Sequence, residues 1–197
     1  MKQMMFLVAA LGMVSSAAAA APTLEVLGVH AGDELSSAKK TLEAKGFKQG
    51  GGGLGNCNET YELRMKGWVK RGKMDVLLGD IMCSERYAKG ASRVLLTNLM
   101  SPHGYVLESI EYSDKSTETM GQLERRLTEK FGIPDKRTGF AEWSMPAGAG
   151  MPAQLHNYGG DYSPSLKLEA QAVMSDTFLG EIRKDLRSRA VKSKTEL

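Results

Sequence analysis

The 197-residue chain has only two cysteines, three histidines and six prolines, and its formal net charge is only +3. Each shortage excludes something. A charge this near neutral provides no basic surface of the kind that holds nucleic acid. No Cys-x-x-Cys is present, so a thioredoxin-like redox pair is absent. His30, His103 and His156 form no His-x-x-x-His pair and have no second ligand at metal-site spacing, so no metal is expected. No apolar run reaches the ~20 residues a membrane-spanning helix needs. No Gly-x-Ser-x-Gly elbow exists: Gly90-Ala91-Ser92-Arg93 lacks its closing glycine. The glycine run Gly50 to Gly55 lacks the Gly-Lys-Ser/Thr ending of a phosphate cradle and reads as a linker. Glu108 and Glu111 fall on opposite faces of one strand, so they form no general acid/base pair. No cofactor is expected.

What is present begins with an export signal. Lys2 is followed by the apolar stretch Met4 to Val14, then Ser15-Ser16 and the alanines Ala17 to Ala21, with a cleavage site after Ala20. Residues 1–20 are thus expected to be a signal peptide, which leaves about 177 residues as one α+β domain, 21–197. The alanine-rich cleavage region points to a bacterial periplasm, and the mature chain carries no transmembrane anchor.

Export changes the meaning of Cys57 and Cys83, because in an oxidising compartment a cysteine pair is a disulfide candidate. Residues Cys57 to Trp68 and Met74 to Cys83 both have strand character, separated by the charged turn Val69 to Lys73. A hairpin centred on Lys70 sets Cys57 opposite Cys83, Tyr61 opposite Gly79 and Leu63 opposite Leu77. Directly opposed positions place Cβ atoms ~4.5–5.5 Å apart, near disulfide range.

Along the mature chain, Leu24 to Val29 reads as a strand. Asp33 caps a helix with Leu35, Ala38 and Leu42 on one face, and Gly46 stops it. Gln49 to Asn56 reads as a flexible loop. Arg93 to Met100 and Tyr105 to Tyr112 are strands joined by the turn Ser101 to Gly104. Ser116 caps a second helix with Met120, Leu123, Leu127 and Phe131 on its stripe, ended by Gly132 and Pro134. Phe140 to Met145 and Gln154 to Tyr158 are further strands. The alternation Leu166 to Met174 is the clearest strand of all. Asp176 caps a last helix carrying Phe178, Leu179, Ile182 and Leu186, and Ala190 to Leu197 reads as frayed. The expected fold is α+β: a mostly antiparallel sheet with two amphipathic helices on one face and an extra C-terminal helix. The two helices share a spacing offset by 85 residues. Two alternatives stay open: a duplicated helix-plus-sheet unit (halves 24–112 and 113–190), or two unrelated amphipathic helices.

The segment Val26-Leu27-Gly28-Val29-His30-Ala31-Gly32-Asp33-Glu34-Leu35, running on to Leu42-Glu43-Ala44-Lys45-Gly46-Phe47, resembles the opening of small exported bacterial proteins. Leu127 to Pro134, with Lys-Phe-Gly-Ile-Pro, resembles a second-helix ending in the same group. That group includes domains like the beta-lactamase inhibitor protein and the small outer-membrane assembly lipoproteins. The matched segments cover about a quarter of the chain. Unlike the lipoproteins, this chain has no lipidated cysteine. The resemblance implies a non-enzymatic α+β scaffold that binds another macromolecule.

Two surface regions are the candidate contact sites. Tyr158, Asp161 and Tyr162 lie on a glycine-rich segment, where tyrosine offers contact area and a hydroxyl. Arg183, Lys184, Arg187 and Arg189 make the last helix basic, suited to docking on anionic envelope polymers or head groups. The leading reading is a periplasmic binding or inhibitor-type protein with a protein or cell-envelope partner and no catalysis. Two alternatives remain: a small periplasmic hydrolase or ligand-binding protein, and an envelope structural factor docking through the basic helix.

Overall fold

The computed structural model describes residues 23–51, 53–114, 119–135, 141–146, 152–160, 163–170 and 173–195. Its elements are α1 (Leu35–Ala44), β1 (Lys48–Gly50), α2 (Tyr61–Lys70), α3 (Leu78–Ile81), β2 (Met82–Lys89), β3 (Ser92–Ser101) and β4 (Gly104–Ser113). These are followed by α4 (Met120–Phe131), β5 (Ala141–Pro146), β6 (Pro152–Gly160), β7 (Ser163–Ala170) and α5 (Val173–Thr195). The seven strands form one antiparallel sheet in the order β1-β2-β3-β4-β7-β6-β5. The fold is therefore α+β with an antiparallel sheet and a C-terminal helix. Two helix-then-meander units, α1 with β2-β3-β4 and α4 with β5-β6-β7, meet where their last strands pair.

Cross-strand register defines the core. One face carries Tyr87, Leu96, Ile110, Leu168, Leu155 and Trp143, all nearly inaccessible to solvent. The apolar stripes of α1 (Leu35, Ala38, Leu42) and α4 (Leu123, Leu127, Phe131) are buried with them. Trp143 Nε1–H donates to the Gly132 carbonyl at 2.8 Å, which ties the end of α4 to β5. Lys39 of α1 reaches Glu85 of β2, at 2.7 Å, on that same face. α5 packs on β3 and against α2 and α3, burying Leu179, Ile182 and Leu186.

Several elements differ from the sequence expectation. The largest difference is the cysteine segment. Residues 61–70 are a helix, and Met74 to Cys83 does not pair with it as a hairpin strand; it holds an irregular stretch, α3 and the first residues of β2. Thr60 caps α2 by accepting from the Leu63 amide at 3.3 Å, Glu62 sits in the first turn, and Tyr61, Met65 and Trp68 are buried. Their i, i+4, i+7 spacing is a helical face, and it outweighs the short alternation that favours a strand. Leu24 to Val29 is no continuous strand but a tight reversal in which Val26 and Val29 exchange both backbone hydrogen bonds. Asp33 does not cap α1; its carboxylate accepts from the His30 amide at 2.8 Å, and Glu34 occupies the cap position. Thr119, in a capping box with Gln122, caps α4, and Ser116 lies outside the described residues. β7 ends at Ala170, whereas Val173 and Met174 already belong to α5, which continues to Thr195 rather than fraying from Ala190.

The glycine run is more than a linker. Lys48–Gly50 pairs with β2, and beyond it the chain keeps to the same edge. Ser84 donates its amide to the Leu54 carbonyl at 2.8 Å, and the Leu54 amide donates to Ser84 Oγ at 2.9 Å. A Cβ on Gly53 would stand 1.7 Å from the Ser84 carbonyl oxygen, whereas one on Gly51 would meet nothing within 4 Å. Only glycine permits that approach. Gly53→Ala should lower the melting temperature by several degrees, with Gly51→Ala unchanged. Equal melting of the two variants would show that the edge contact contributes nothing.

Candidate functional site

The segment between the two cysteines is tied down at many points. Cys57 and Cys83 form a disulfide with Cα atoms 5.4 Å apart, so the expected bridge is present although the hairpin is not. Between its ends, Arg64 of α2 donates to Glu59 Oε2 at 2.8 Å and to the Asp80 carbonyl at 2.9 Å. Lys73 pairs with Asp80, whose other carboxylate oxygen accepts from the Leu77 amide. Partial burial raises the Asp80 carboxyl, but the Lys73 ammonium and the Leu77 amide outweigh it and hold the group below its usual value.

α5 clamps the same segment from below. Arg183 donates through Nε and Nη2 to the Val76 carbonyl at 3.1 and 2.7 Å. Arg189 forks onto Glu62 at 2.7 and 2.6 Å, reaches Asp185 at 3.0 Å, and lies 5.9 Å from the Tyr61 ring centre. The Tyr61 hydroxyl donates to Asp185 at 2.9 Å, and burial followed by that carboxylate pushes its pKa well above normal.

Among the residues this clamped segment turns outward are four large apolar side chains. Leu63 is 61% exposed, Leu77 60%, Met74 38% and Leu78 37%. The Arg64 bond to the Asp80 carbonyl holds the Leu63 turn of α2 against the turn that carries Leu77 and Leu78. Charged side chains border them: Lys66, Lys70 and Asp75 are exposed. An apolar centre with a charged border is the usual composition of a protein contact surface. The sequence reading missed these residues because it folded Leu63 and Leu77 onto each other across a hairpin. The usable signal was the buried Tyr61–Met65–Trp68 stripe, which forces Leu63 to the opposite side of α2.

The candidate residues read from sequence are divided among other places. Of the basic set, Arg183 and Arg189 face α3, α2 and the interior of this clamp, while Lys184 and Arg187 are exposed on α5. Tyr158 belongs to β6 rather than to a loop, and its hydroxyl bonds Glu111; burial, then that carboxylate, raises its pKa well above normal. Asp161 and Tyr162 lie outside the described residues. Tyr158 stands on the sheet face opposite α1 and α4, beside a cross-strand row Glu142–His156–Lys167–Glu111. His156 lies 3.7 Å from Glu142 and 3.2 Å from Glu169, and Gln154 donates to Glu142 at 3.1 Å. Nearby Glu108, the extra residue where the β3–β4 register shifts, is pushed above the usual carboxylate range by burial. His103 is in the β3–β4 turn and His30 contacts Glu25 and Asp33. Among the described residues no group of three His, Cys, Asp or Glu is placed to hold a metal ion.

Two shallow depressions flank the disulfide, of about 340 and 400 Å³, sharing Cys57, His103, Gly104 and Tyr105 in their walls. A larger cleft of about 510 Å³ lies beside Lys45 at the C-terminal end of α1, between the Glu25–Gly28 reversal and α4. Among the described residues no helix is long and apolar enough to cross a membrane. Comparison with protein-family models, with curated proteins and with solved structures returned no match.

Proposed function

We propose that this is an exported, periplasmic protein that binds another macromolecule through the apolar surface of the Cys57–Cys83 segment. The observation that carries the reading is the combination of exposure and restraint there. Leu63, Met74, Leu77 and Leu78 stand out from a backbone fixed by a disulfide and by Arg64 and Arg183. Exposed apolar area costs about 25 cal/mol per Å² relative to burial, and a partner that covers it recovers that energy. Rigid anchoring lowers the ordering entropy lost on association, which is how a small apolar patch gains affinity. The disulfide supports oxidation outside the cytoplasm, and the Lys2, Met4–Val14 and Ala17–Ala21 pattern supports export. The expected partner is a protein with a complementary apolar site.

The test is a paired capture. Processed wild-type protein and the Leu63→Glu/Leu77→Glu variant are immobilised and exposed to periplasmic extract. Both substituted side chains are exposed, so the variant should melt within about 0.5 kcal/mol of wild type. Wild type should retain a stoichiometric protein partner that the variant loses at least tenfold. Equal retention by both, or no stoichiometric partner of the wild type, contradicts the proposal.

A further inference from the structure

The two ends of the disulfide differ in access. Cys83 is 1% exposed on β2, whereas Cys57 is partly accessible and stands in the wall of both depressions beside the bridge. Thiol–disulfide exchange begins with attack on one sulfur, and its rate depends on which sulfur a thiolate can reach. Here that sulfur belongs to Cys57.

A second observation lies behind the bridge. Asn98 of β3 is the direct cross-strand partner of Cys83, at the step where the β3–β4 register shifts, and it is fully buried. Its Nδ2 donates to Cys57 Sγ at 4.0 Å. Its Oδ1 has no hydrogen-bond partner among the described residues. A buried carbonyl left unpaired is disfavoured, and a fold that keeps one calls for a reason. Bridged sulfurs carry no proton and cannot donate to it. Free thiols can, because S–H is a weak donor.

We propose that Cys57–Cys83 is an exchangeable bridge, opened at Cys57 by a protein dithiol, with Asn98 as the positioning residue that holds a released thiol. The first thiolate of the dithiol attacks Cys57 Sγ. A new sulfur–sulfur bond forms there as the Cys57–Cys83 bond breaks, and the electron pair leaves on Cys83 Sγ, which takes up a proton. The second thiol of the dithiol loses its proton and attacks the incoming sulfur, so that Cys57 leaves with its electron pair and is protonated. The dithiol is thereby oxidised to a disulfide, and the bridge is reduced to two thiols. In the open form Asn98 Oδ1 accepts an S–H bond that the closed form does not offer, which offsets part of the loss of the bridge. Opening also releases one tie on the segment that carries Leu63 and Leu77, but the exchange does not depend on what that segment binds.

Two measurements test this. In the first, the folded, bridged wild-type protein is treated with glutathione, a monothiol that stops at the first step, then quenched rapidly with N-ethylmaleimide and mapped by peptide mass. Glutathione on Cys57 with maleimide on Cys83 is expected, formed faster than the protein unfolds. Glutathione on Cys83, or no adduct unless urea is added, overturns the proposal. In the second, wild type and Asn98→Leu are equilibrated with mixtures of reduced and oxidised dithiothreitol. A packing defect common to both forms leaves the equilibrium between bridge and dithiol unmoved, so this constant responds only if Asn98 distinguishes them. The bridge-forming constant should rise about tenfold in Asn98→Leu, a reduction potential lower by about 30 mV. An equal or smaller constant in the variant overturns the proposal, and the first measurement needs no variant at all.

Discussion

Reduction of the Cys57–Cys83 bridge should destabilise the protein by about 3.5 kcal/mol at 25 °C, the loop-entropy value for a separation of 26 residues. For a domain of this size, that corresponds to a fall in melting temperature of about 7–14 °C. The bridge joins the start of a helical segment to a buried position on β2: Cys83 is 1% exposed, whereas Cys57 is partly accessible. The loss should be concentrated in residues 53–81, which the bridge ties directly to β2; the other polar ties of that stretch include the edge bonds of Leu54, the Tyr105 hydroxyl on the Asn56 carbonyl, and the α5 bonds to Val76 and Glu62. Amide exchange of the reduced protein should accelerate first in α2, while β3, β4 and β7 keep their protection. Coincident urea midpoints for oxidised and reduced protein would show that the bridge is structurally idle.

Substituting Lys39 should be nearly as damaging, for a different reason. Glu85 points from β2 into the space beneath α1, with its side chain only 7% exposed. Its two oxygens are met by Lys39 Nζ at 2.7 Å and by the Tyr87 hydroxyl at 2.9 Å. The same burial, with Glu85 as acceptor, raises the Tyr87 pKa well above normal, so the phenol remains a donor at any physiological pH. Lys39→Met removes the ammonium partner and leaves a carboxylate among Tyr87, Leu96 and the α1 stripe. Breaking a buried pair in this way costs about 3 kcal/mol, whereas replacing both members by apolar groups is near neutral. Lys39→Met should therefore lower the urea midpoint sharply, and Lys39→Met/Glu85→Leu should recover most of the loss. A single variant as stable as wild type would mean that water reaches Glu85 and the pair is solvated.

These two sites show what was legible in the sequence and what was not. α1 and α4 could be read directly, because Leu35–Ala38–Leu42 and Leu123–Leu127–Phe131 repeat at helical spacing and a glycine follows each helix. The β3–β4 hairpin was legible from the turn Ser101 to Gly104 between two apolar runs. The disulfide was legible from compartment and count alone, yet the hairpin drawn to explain it was not the geometry that forms it. Cys57, Glu59, Tyr61 and Leu63 alternate well enough to suggest a strand, and the cysteine pairing reinforced that choice. The deciding residues were Met65 and Trp68, which complete a helical stripe with Tyr61.

Other features depend on neighbours distant in sequence. Nothing near Glu85 announces that it turns inward, because its partner Lys39 is 46 positions away in another element. Nothing near Arg183 and Arg189 announces that they grip Val76 and Glu62 rather than solvent. A run of basic residues that looks alike in one dimension is divided, in three, into an inward set and an outward set. The exposed leucines are the same problem in reverse: their exposure follows from which face of α2 the core takes up.

The most direct test of this account is a non-reducing peptide map, with intact mass, of the protein recovered from its native cells after alkylation of free thiols. The expected result is a chain beginning at Ala21 with Cys57 and Cys83 joined and neither alkylated. A chain that retains Met1 and carries two alkylated cysteines would contradict both the proposed export of this protein and the disulfide clamp on its proposed recognition segment.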